Sequence, residues 1–108
     1  VGAGAASEML FTGDIISAAE AHRIGLIDRL VEPADLDETV AALAGRIAAN
    51  APIAIQLAKH LVRVAQSSSL DIGLAYENDT FTYCFTTADA AEGQQAFAEK
   101  RTPEFKGE

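Results

Sequence analysis

Several residues on which particular functions depend are scarce in this chain. One cysteine, Cys84, in 108 residues has no partner for an internal disulfide, so the fold cannot rest on cross-links, and a reducing, cytoplasmic setting is expected. Basic residues are few: 8 against 16 acidic, for a formal charge of -8. Such a chain repels polyphosphate backbones and anionic bilayers at long range, which disfavours nucleic acid and membrane surfaces as partners. No apolar run approaches the roughly 20 residues that a membrane-spanning helix needs. Residues 1–6 lack both the basic stretch and the apolar core of a secretory segment. There is no initiating Met, and the first residues read as the inside of a helix, so loss of upstream sequence is expected.

At 108 residues the length fits one domain, and a domain this small buries only about two-thirds of the surface its unfolded chain exposes. Hydrophobic residues make up 49% of the chain. Much of that is alanine, which favours helix and adds little buried area, so any core is thin. Large side chains such as Phe81, Phe85 and Phe97 are therefore expected to bury themselves against something outside the chain.

Helix signals dominate. An Ala-rich stretch from residue 3 to 10 runs toward Gly13, a residue suited to stopping a helix. Ser17 with Glu20 three positions later has the spacing of a capping box, and a second short helix should run toward Gly25. Leu26, Ile27, Leu30 and Val31, between Gly25 and Pro33, read as the one β-strand, which would need a partner from elsewhere. Leu36, Val40, Leu43, Ala44 and Ile47 repeat at helical spacing. Asn50 is expected to end that helix in the left-handed conformation, and Pro52 to start the next, which carries Ile53, Leu57, Leu61 and Val64 on one face. Ser67 to Ser69 read as a turn. A long helix through Leu70, Leu74 and Phe81 should reach about Phe85, and Thr87 should cap a last helix beginning near Asp89. Pro103 stops that helix, leaving an extended tail with Phe105 as its only anchor. The fold class expected is mainly α with one short strand.

Few residues invite a chemical reading. His22 and His60 lie on separate helices, away from any second histidine or cysteine, and no metal site is expected. Cys84, between Tyr83 and Phe85, suits packing better than nucleophilic chemistry. Glu77, Asp79, Asp89 and Glu92 would form an acid–base pair only if two met in an apolar cleft; solvated helix faces are the simpler reading. Gly2 and Gly4 lack the third glycine and preceding strand of a phosphate loop. The last nine positions are more informative. They hold Lys100, Arg101 and Lys106, three of the 8 basic residues. Phe97, three residues before Lys100, would share a helix face with it and offer an apolar plate beside an ammonium group. That pairing suits a ligand with apolar and phosphate parts, although cations at a helix C-terminus also complement its dipole.

Four strings, ASEMLFTG at residues 6–13, SAAEAHRIGLIDRLV at 17–31, APIAIQLAKHLV at 51–62 and DAAEGQQAFAEKRTPEFKG at 89–107, together resemble the C-terminal portion of the enoyl-CoA hydratase/isomerase (crotonase) family. The resemblance implies a spiral of repeated β-β-α units upstream, with residues 1–34 as the end of that core and 35–108 as a helical region that associates subunits into a trimer or hexamer. It also implies an acyl-CoA thioester as substrate, with coenzyme A as part of that substrate and no separate cofactor or metal. In the family, two backbone N–H groups hold the thioester oxygen, and in hydratases two glutamates activate water. The resemblance places these parts before the matched region, so it implies no catalytic residue here, and an inactive fragment. Phe97 and Lys100 match positions that approach CoA, in several cases in a neighbouring subunit's site, and Arg101 is a weaker addition. The alternatives are a non-enzymatic helical interaction module and a family member with other acyl-CoA chemistry, such as a dehalogenase or hydrolase.

Overall fold

Caps set several of the helix ends in the computed structural model, which describes residues 1–108 as two units, Val1–Val40 and Ala41–Glu108. In the first unit, α1 (Ala3–Thr12) stops at Gly13, which is left-handed at φ 70 and donates its N–H to the Met9 carbonyl. Helix α2 (Ala18–Arg23) is capped by Ser17, whose hydroxyl accepts from the Glu20 N–H at 3.1 Å. The capping box is only half formed. The Glu20 carboxylate turns away from Ser17 and accepts from Arg23 Nε at 2.7 Å and Nη2 at 2.5 Å, a charge-assisted fork stronger than a bond to a neutral amide.

The strand expected at residues 26–31 does not form. The N–H groups of Leu26 and Ile27 both donate to the Ala21 carbonyl, at 2.8 and 3.3 Å, and the segment runs as a turn and bends into irregular chain. A strand needs a neighbouring strand to pair its backbone, and the chain offers none. Leu26, Ile27 and Leu30 are exposed, and the buried apolar residue of this unit is Ala21.

A 3-10 turn (Pro33–Asp35) leads into α3 (Leu36–Ala48), which passes from the first unit into the second. Its apolar positions Leu36, Val40, Leu43 and Ile47 are all exposed. Asn50 does not take the left-handed conformation. Its side-chain amide instead donates to the Arg46 carbonyl at 2.7 Å, satisfying a terminal acceptor directly. Helix α4 (Pro52–Ala65) opens on proline at its first position, and α5 (Leu70–Cys84) packs against it. The Ser69 hydroxyl caps α5, and the Phe81 and Phe85 rings lie 4.6 Å apart near its end, both still exposed.

Thr87 joins α5 to α6 (Ala88–Glu99): its hydroxyl donates to the Cys84 carbonyl at 2.8 Å and accepts from the Ala90 N–H at 3.1 Å. At the far end of α6, the Lys100 N–H donates to the Phe97 carbonyl at 3.2 Å and the Arg101 N–H to the Ala96 carbonyl at 3.0 Å. This is a Schellman motif with lysine at the left-handed position, φ 55, where glycine is usual and a side chain costs roughly 1–2 kcal/mol. Only Ala21, Ala96 and Asp89 are buried in the whole chain.

Candidate ligand-binding edge at the end of α6

The tail after α6 is held far more firmly than Phe105 alone would hold it. Asp89, on the first turn of α6, is 3% exposed; it is neither solvated nor a simple dipole cap. Its two carboxylate oxygens accept from the N–H groups of Lys106 and Gly107, at 2.7 and 2.8 Å, and its own N–H donates to the Glu108 carbonyl. Charge-assisted bonds to backbone amides are what allow a carboxylate to be buried here. Phe105 lies across Gly93, and Gly107 lies beside Pro52 at the start of α4.

A second clamp sits at Arg101. Its Nη1 and Nη2 donate to the two oxygens of Glu92 at 2.6 and 2.8 Å, and its Nε donates to Glu99 at 2.6 Å. Glu92 also accepts from the Glu104 N–H at 2.8 Å. The Arg101 guanidinium, and after it the Glu104 N–H, hold the Glu92 carboxyl at about 2. Glu99 is lowered first by the Gln95 amide and then by Arg101, while the two carboxylates push Arg101 upward.

These contacts set Arg101 apart from Lys100 and Lys106. Arg101 is engaged by two carboxylates, whereas Lys100 makes no ion pair. Phe97 beside it is 87% exposed. Lys100 is the left-handed C-cap just past the last helical residue, Glu99, so helical spacing alone does not put it on the face that carries Phe97. The Phe97–Lys100 edge thus combines a free ammonium with an uncovered ring, the composition needed to meet an anionic group attached to an apolar or planar one.

The other candidates do not converge. No three His, Cys, Asp or Glu side chains come together in a way that could hold a metal ion. The His60 ring sits 6.4 Å from that of Tyr76. Half-buried Cys84 borders a hollow shared with Leu57, Ala58, Leu61 and Phe81. Glu77 lines an open groove between α4 and α5 of about 470 Å³, walled by Leu61, Leu70 and Leu74. Gly4 lies inside α1, so residues 2–4 form no phosphate loop. Asp89 and Glu92 both serve the tail and form no acid–base pair. Sequence reasoning missed the Glu92–Arg101 pair because its nine-residue spacing has no helical meaning.

Comparison with known proteins gives a consistent result. The sequence model of the enoyl-CoA hydratase/isomerase family matches residues 1–108. The chain is 41% identical over 101 residues to a short-chain-enoyl-CoA hydratase of Clostridium acetobutylicum, covering 94% of this chain and 39% of that protein. It is 43% identical over 108 residues to the 2,3-dehydroadipyl-CoA hydratase of Escherichia coli, covering 99% and 42%. Among solved structures, an enoyl-CoA hydratase from Bacillus anthracis superposes with a TM-score of 0.96 at 42% identity, covering 100% of this chain and 42% of that one. The chain spans about two-fifths of the length of these relatives.

Proposed function

Since the chain belongs to the enoyl-CoA hydratase/isomerase family, we propose that it is the C-terminal part of a cytoplasmic enzyme acting on acyl-CoA thioesters. In this reading residues 1–34 close the spiral core and residues 35–108 form the helical region through which subunits associate as a trimer or hexamer. The hydratases among its relatives favour hydration as the reaction. Phe97 and Lys100 contribute to CoA binding, in this subunit's site or a neighbour's. Coenzyme A enters as part of the substrate, and the reading requires no further cofactor and no metal.

One observation carries the proposal. The helices leave their apolar stripes uncovered, with Val40, Leu43, Ile47, Leu70, Leu74, Phe81 and Phe85 all exposed and only two apolar residues buried. Each large side chain gains about 1.5–3 kcal/mol when taken fully out of water, so these stripes favour further polypeptide against them.

The oxyanion-holding N–H groups and the paired glutamates belong to parts of the family fold outside the portion resembled here. The purified 108-residue chain is therefore expected to show no hydration of crotonyl-CoA, followed by loss of the enoyl absorbance. Recombined with the remainder of the enzyme it should restore a saturable CoA site. Turnover by the chain alone would overturn its assignment as a non-catalytic segment. Absence of CoA binding after recombination would favour a helical interaction module without enzymatic function.

A further inference from the structure

Lys100 is the one non-glycine residue of the chain with positive φ, at 55. It occupies the Schellman position, where glycine would carry no Cβ penalty. Such an outlier persists only when its surroundings over-determine it, and they do so here from both sides. Upstream, the N–H groups of Lys100 and Arg101 close the motif onto Phe97 and Ala96. Downstream, Arg101 is gripped by Glu92 two turns back on α6 and by Glu99, and the Glu104 N–H is tied to the same Glu92 carboxylate. The guanidinium fork fixes the orientation of Arg101, and with it the backbone reversal at the residue before. The ammonium of Lys100 is left without an ion-pair partner in this arrangement.

We propose that Glu92 and Arg101 are positioning residues: their fork holds Lys100 in the left-handed turn so that its free ammonium is presented to a phosphate group of the ligand. This rests on the reading of the chain as part of an acyl-CoA enzyme. Arg101 itself does not touch the ligand, because its donors are directed at two carboxylates. Glu92 acts by fixing geometry and not by its charge at the ligand, which would repel a phosphate.

The test uses the complete parent enzyme and steady-state kinetics with crotonyl-CoA. K100M should raise KM roughly tenfold with kcat little changed, as expected when a charged contact common to ground and transition state is lost. K100G should raise KM equally while melting at or above the parent temperature, since it relieves the strained turn. E92Q and R101M should each raise KM several-fold in the otherwise unchanged enzyme and have no further effect in the K100M background. That non-additivity is a signature that general loosening of the fold would not produce. An unchanged KM in K100M and K100G would overturn the role of Lys100 at the ligand. A raised KM in those variants, with E92Q and R101M either silent or fully additive to K100M, would leave that role standing and overturn the positioning by Glu92 and Arg101.

Discussion

Gly13 and Gly45 are expected to respond oppositely to the same substitution. Gly13 closes α1 at φ 70 with open space around it, so alanine there meets no clash but must adopt a left-handed backbone, at a cost of roughly 1–2 kcal/mol. Gly45 lies inside α3 with nothing near a new Cβ, and alanine should stabilise the helix by about 1 kcal/mol. Thermal unfolding of G13A and G45A checks both signs. Asp89 is a third single-residue case. Replacement by alanine leaves the Lys106 and Gly107 N–H groups without their acceptors, and destabilisation of about 2 kcal/mol is expected. Hydrogen exchange should show those two amides losing protection first, and unchanged protection would count against the clamp. Gly13, Ser17 and Thr87 were legible in the sequence because a cap acts on residues three or four positions away. The role of Asp89 was not, because its partners lie 17 and 18 residues further along.

At the scale of elements, the α6–tail unit should show a characteristic acid dependence. The Glu92 carboxyl is held at about 2, against an ordinary 4.5, so it binds its proton more readily in the unfolded chain. Its stabilising contribution is therefore complete above about pH 4.5 and is lost as pH falls from there toward 2. E92Q should melt below the parent at pH 6, with the gap narrowing steadily as pH drops through that window. A gap of constant size would contradict the ion pair as its source. Glu20 and Glu99 are lowered in the same sense, so a residual slope should persist in the variant. Helix periodicity located α3 to α5 well, since an amphipathic face writes its 3.6-residue repeat directly into the sequence, and the Thr87 cap located α6. The strand at 26–31 was misread for a complementary reason: β-branched and apolar residues state a preference for pairing, and the pairing itself depends on backbone that the local sequence does not contain. Likewise Asn50 has two ways to finish a helix, and composition does not choose between a left-handed backbone and a side-chain amide bonded to Arg46.

For the molecule as a whole, the exposed stripes of α3 and α5 predict association driven by apolar surface. Sedimentation equilibrium of the 108-residue chain should show mass rising with concentration, with little relief from added salt, since the contact is apolar and not ionic. A species that stays monomeric at high concentration and binds no hydrophobic dye would contradict this reading. The family was legible because the four strings at 6–13, 17–31, 51–62 and 89–107 run nearly the length of the chain. Placement of Lys100 was not legible, since it follows from a backbone reversal enforced by Arg101. Gly107 against Pro52 has one more effect on the molecule. It turns residues 52 to 107 into a closed circuit whose two ends meet at the unsupported first turn of α4, which has no side-chain cap of its own. A cut anywhere in the last half-dozen residues would thus be felt not only beside α6 but also at a helix entrance more than fifty residues earlier, which makes the final residues a fastening for the second unit.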